Sequence, residues 1–107
     1  MPRWQGQGPD VQRDVQQKSK QKLEKPPKYK VILHNDDFTT MEFVQYVLET
    51  IFHKPSATAK QIMMSVHLTG RGVAGVYTYE IAEAKITKVT SLAKAQEFPL
   101  LCTMEEE

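Results

Sequence analysis

Along this chain the spacing of apolar positions changes from segment to segment, and each change marks an element. From Tyr29 the run Val31-Ile32-Leu33 is continuous and apolar, the pattern of a buried strand, and predicts β-structure over residues 29–34. Asn35-Asp36-Asp37 are turn formers and prolong a strand poorly, so the chain turns there. Met41, Val44, Val47, Leu48, Ile51 and Phe52 then recur at helical spacing and predict a helix with one core face. Thr39 to Glu42 fits a capping box, in which the Thr39 hydroxyl accepts from the N–H of residue 42 and Glu42 reaches back. His53 and Lys54 suit the dipole of the last turn, and Pro55 stops the helix.

A second helix is expected over residues 57–68, capped by Ser56, with Ala59, Ile62, Met63 and Val66 as its apolar stripe. Gly70 ends it in a left-handed cap, and Arg71-Gly72 completes a tight turn. Val73 to Tyr77 reads as a strand in which Gly75 lets a neighbouring backbone approach. Thr78 caps a third helix, from Tyr79 to about Gln96. Its Ile81, Ala82, Ile86, Val89, Leu92 and Ala93 face inward, and Glu80, Glu83, Lys88 and Lys94 face water. Beyond Pro99, Leu100 to Met104 makes a last short strand before the acidic tail Glu105–Glu107. The order β-α-α-β-α-β predicts an α+β sandwich, a sheet of about three strands covered on one face by three helices.

Composition changes this picture in one respect. A chain of 107 residues, 40% hydrophobic and 25% charged, suits one soluble domain. Its near-neutral net charge of +1 hides a division. Residues 1–30 hold eight Lys/Arg against three Asp/Glu, whereas residues 31–107 hold six against ten. A basic arm is thus joined to an acidic body. Residues 1–27 have too few apolar positions to offset their ordering entropy and are expected to be disordered; Pro26-Pro27 marks the boundary with a core domain over 28–107. The arm has no aromatic interleaving beyond Trp4, which favours a solvated tail over a nucleic-acid partner. Nothing resembles a secretory signal or spans a bilayer, so no membrane partner and a cytoplasmic location are expected. The single cysteine, Cys102, forms no internal disulfide, and no spacing suggests a metal or cofactor.

The candidate chemistry lies where the first strand ends. Asn35, Asp36 and Asp37 have a plain reading as turn formers favoured by a helix dipole. They also gather hydrogen-bond acceptors suited to a small cationic group. If strand alternation persists, Leu33, Asn35 and Asp37 share one side and Asp36 takes the other. His67 is either a surface histidine near a helix end or a third acceptor, if that end meets the first strand. Met41, Val44, Met63, Val66 and Leu100 read as core or as an adaptable apolar pocket.

The ordered set Val31-Ile32-Leu33-x-Asn35-Asp36-Asp37-Phe38-Thr39-x-Met41-Glu42-Phe43-Val44, Met63-x-x-Val66-His67, Gly75-Val76-Tyr77-Thr78, Glu80-x-Ala82-Glu83-x-Lys85 and Pro99-Leu100-Leu101-Cys102 resembles the ClpS family of N-degron adaptors. The resemblance spans residues 28–104. It implies a monomeric, non-enzymatic adaptor that binds proteins beginning with Leu, Phe, Tyr or Trp. Such an adaptor delivers them to a AAA+ unfoldase of the ClpA or ClpC type for ClpP to degrade. Carried across, Asn35, Asp37 and His67 hold the α-ammonium, directly or through water, with Asp36 in support. Leu33, Thr39, Met41, Val44, Met63, Val66 and Leu100 line or border the hydrophobic pocket, Met41 guarding against β-branched side chains. Glu80 and Lys85, exposed on the third helix, dock on the unfoldase N-domain, and the arm serves delivery rather than docking. His34 stands where the family usually has an apolar residue and is expected to face solvent. Thr40 replaces a usual proline, with the Thr39 cap remaining.

Two rival classes are weighed beside it. The basic arm could serve a nucleic-acid or ribosome-associated protein. Asp36, Asp37 and His67 could form a small hydrolase site, against which stands the lack of an activated nucleophile or metal motif.

Overall fold

The computed structural model describes residues 25–107, and the basic arm, apart from its last residues, lies outside them. Six elements follow the expected order: β1 (Lys28–His34), α1 (Met41–Thr50), α2 (Ser56–Thr69), β2 (Arg71–Thr78), α3 (Tyr79–Ala95) and β3 (Leu101–Glu106). The sheet has the order β2-β1-β3, and both pairings are antiparallel. The apolar run Val31-Ile32-Leu33 is therefore in the central strand. Val31 and Leu33 enter a common core with Val44, Val47 and Leu48 of α1, Ala59, Met63 and Val66 of α2, and Ala82, Val89 and Ala93 of α3.

Ile32 points to the other face of the sheet by alternation, yet it is fully buried. Register explains this. Arg71 pairs with His34 on one flank, and Glu105 pairs with Lys30 on the other. The Arg71–Glu105 ion pair, 2.9 Å, therefore crosses β1 diagonally beside Ile32. His34 shares that face. It is half-buried with Nε2 2.8 Å from Thr103 Oγ1, rather than facing solvent as expected.

Several local expectations give way to tertiary demands. Arg71-Gly72 is not a tight turn but the start of β2, because Gly70 alone reverses the chain, with φ 96 and its N–H on Val66 O. At Gly75 the nearest group is a side chain rather than a backbone: the Tyr77 ring lies where its Cβ would be. Ser56 is the first residue of α2 rather than its cap, a position taken by Pro55. Thr78 does stand at the cap position of α3 but makes no side-chain capping bond. His53 and Lys54 lie beyond α1, which ends at Thr50; His53 is left-handed (φ 56) and lets Lys54 N–H reach Leu48 O. Ile81 is 49% exposed, because α3 turns that flank away from the sheet. The last strand starts one residue late and runs on to Glu106, since β1 offers pairing as far as Tyr29.

Candidate functional site

The turn after β1 is built by one carboxylate. Asp36 Oδ1 accepts from the backbone N–H groups of Phe38 and Thr39, both 2.8 Å, and Oδ2 accepts from the Thr39 hydroxyl at 2.7 Å. Partial burial alone would raise the Asp36 carboxyl, but these hydrogen bonds outweigh it and hold its pKa below the ordinary carboxylate range. The same bonds draw Thr39 inside, where it is 5% exposed. Thr39 therefore cannot cap α1, and the capping box fails. Thr40, extended at φ −73 and ψ 150, caps instead and accepts from Phe43 N–H.

Asp36→Ala should therefore lower stability by about 1–2 kcal/mol at neutral pH, the usual worth of a capping-type carboxylate. The folded pKa is depressed, so this contribution is complete above the ordinary carboxylate value and disappears as pH falls through the lower folded one. Urea unfolding at pH 7 and near pH 3 checks this: the gap between wild type and variant should narrow in acid. A constant gap would mean the ionised carboxylate is not what matters.

With Asp36 turned inward, Asn35 and Asp37 remain exposed. Asn35 N–H donates to Gly70 O at 2.9 Å, which pins the end of α2 to the end of β1. His67, exposed, lies one turn before Gly70 on that same helix end. Leu33, Val44, Met63, Val66 and Leu100 are part of the one buried core of the described residues, with Met41 half-buried against it. The Asn35–Gly70 hydrogen bond thus brings the polar turn and the end of α2 together at one end of β1. Against a hydrolase, Asp36 is engaged by three hydrogen bonds of its own turn, and burial pushes the Cys102 thiol up to about 12. No group of three or more His, Cys, Asp or Glu able to hold a metal occurs among the described residues. Nor is any described helix long and apolar enough to cross a membrane.

On α3, Glu80 is exposed at the N-terminal turn. Lys85 differs from expectation. It is half-buried, and its Nζ donates to the Ile51 carbonyl at 2.6 Å, 5.5 Å from the Tyr77 ring centre and 5.9 Å from that of Phe52. Burial first, and then nearby Lys88, lower its pKa. It serves as a strut that satisfies a carbonyl past the end of α1. Lys85→Met, which keeps the stem and removes the ammonium, should lower stability by about 1–2 kcal/mol, read as a lower urea midpoint. An unchanged midpoint would return Lys85 to a purely surface role.

This α+β fold presents a polar turn, organised by Asp36, at the junction of β1 and α2. Comparison with known proteins is specific. The family model "ATP-dependent Clp protease adaptor protein ClpS" matches residues 24–103. The chain is 57% identical over 88 residues to the ATP-dependent Clp protease adapter protein ClpS of Myxococcus xanthus, covering 82% of each chain. It is 49% identical over 102 residues to that of Caulobacter vibrioides strain NA1000, covering 95% of this chain and 94% of the relative. Among solved structures, ClpS2 of Agrobacterium tumefaciens bound to L-phenylalaninamide matches with TM-score 0.74 and 42% identity, over 78% of this chain and 100% of that one. The chain belongs to the ClpS family of Clp protease adaptors.

Proposed function

We propose that this adaptor grips the first residue of a client protein by its α-ammonium and its bulky side chain together, and hands the client to a AAA+ unfoldase of the ClpA or ClpC type. The observation that carries the reading is the ligand of the Agrobacterium ClpS2 structure. Phenylalaninamide has a free amine, an aromatic side chain and no carboxylate, as the first residue of a chain does. In this protein Asn35, Asp37 and His67 would accept from the ammonium, with Asp36 holding the turn that presents them. Leu33, Thr39, Met41, Val44, Met63, Val66 and Leu100 would surround the side chain. Glu80 is the α3 residue left free to meet the unfoldase; Lys85 would contribute chiefly by keeping α1 in place. Clients beginning with Leu, Phe, Tyr or Trp are expected, with affinity on the order of micromolar.

A panel of peptides differing only in the first residue tests this by isothermal titration. Leu and Phe should bind about 10-fold or more tighter than Val or Ile, whose branch at Cβ meets Met41, and far tighter than Ala. Equal binding of Leu and Val would remove Met41 as the selector. Flat affinity across the panel would remove the pocket altogether.

A further inference from the structure

The outer flank of α1 and the end of α3 wall a groove of about 490 Å³. The end of α3 shapes it. Phe98 N–H reaches back to Ala93 O at 2.8 Å and Glu97 N–H to Lys94 O at 3.0 Å, with Glu97 left-handed at φ 64. This turn lays Phe98 against Phe43, ring centres 4.8 Å apart. Phe43, Leu92 and Phe98 give the groove an apolar floor, Tyr46 (53% exposed) a side, and Thr40 and Glu42 one end. A smaller depression lined by Glu42, Gln45, Tyr46 and Glu49 shares two of these residues and continues it along α1.

We propose that this groove binds the stretch of a client chain that follows its recognised first residue, selecting a large apolar side chain flanked by Lys or Arg and disfavouring acidic stretches. The inference rests on the reading of the site given above, and continuity supports it. Thr40, which lines the groove, is the sequence neighbour of Thr39 and Met41, two residues assigned to the border of the first-residue pocket. A chain leaving that pocket across the start of α1 meets the groove directly. Length agrees: Thr40 to Glu49 spans about 14 Å of helix, or about four extended residues, so the groove would take about residues three to six of a client. Charge favours a basic occupant, since Glu42 and Glu49 line the groove and its extension and Glu97 lies in the adjoining turn, with Lys94 the nearby cation on α3.

The test compares phenylalaninamide with two ten-residue peptides that begin with Phe and carry Trp at position four. One has Lys at positions three, five and six; the other has Asp there. Each is titrated into wild type, Tyr46→Ala and Glu49→Lys. The Lys peptide should bind wild type about 5–10-fold tighter than phenylalaninamide and the Asp peptide. Both substitutions should remove that gain and leave phenylalaninamide binding as in wild type. Equal binding of the Lys and Asp peptides, or a gain that survives both substitutions, overturns the proposal. If the acetylated Lys peptide binds as tightly as the free one while phenylalaninamide does not bind, the first-residue reading itself fails and the groove is an independent peptide site. A dimer of this chain that Tyr46→Ala abolishes would assign the groove to a second copy and equally overturn it.

Discussion

A peptide beginning with free phenylalanine should bind at least about 100-fold more tightly than its N-acetylated twin. Acetylation leaves the aromatic side chain intact, removes the positive charge and leaves one of the three N–H donors. The side chain contributes about 1.5–3 kcal/mol on burial, and each charge-assisted hydrogen bond to the ammonium about 1.5–3 kcal/mol. Because Asn35, Asp37 and His67 are exposed, the lower end applies. Two such bonds lost then amount to about 3 kcal/mol, or two orders of magnitude. Neither half of the grip overcomes the entropy of association alone, so internal leucines, which lack the ammonium, are passed over. Titration of both peptides decides the matter, and comparable affinities would refute the ammonium half. Asn35→Ala and Asp37→Ala should each move the free peptide toward the acetylated value without lowering the urea midpoint. Asp36→Ala should lower the midpoint as well.

Gly72→Val should destabilise the protein by about 2–3 kcal/mol and weaken peptide binding by about 10-fold in the fraction that folds. Gly72 is buried in β2 opposite Leu33. A Cβ there would sit 2.8 Å from Val66 Cγ2 and 3.2 Å from the Ile62 carbonyl oxygen. The second of these is helix backbone and cannot swing aside, so α2 must lift from the sheet. Lifting α2 disturbs the Asn35–Gly70 hydrogen bond that ties the end of α2, three residues past His67, to the end of β1. Urea unfolding and peptide titration together check the coupling. Lost stability with intact binding would show that the seat of α2 does not set the site.

The elements were legible because their signals are local. Val31-Ile32-Leu33 announces a buried strand, the α1 stripe from Met41 to Leu48 announces its core face, and Gly70 announces a left-handed cap. The turn at Asn35–Asp37 was legible too, but the division of labour within it was not. On paper the spacing to Glu42 makes Thr39 the cap, and only the hydrogen bonds of Asp36 to Thr39 pass that role to Thr40. Gly75 illustrates the same limit: a missing Cβ signals a close approach without saying that the Tyr77 ring makes it.

Alone, the sequence determined the order of strands and helices, the inward faces of most of them and the residues placed at the end of β1. Periodicity, capping and turn chemistry act over a few residues, so the local string carries them. Tertiary structure decided what depends on partners far along the chain. Lys85 finds the Ile51 carbonyl 34 residues away, Arg71 finds Glu105 at the same separation, and His34 finds Thr103 across 69. It also decided that the ends of β1 and α2 are tied together and that α1 and α3 leave a groove between them. Such contacts follow from how closed layers pack, and no window of neighbouring residues encodes them.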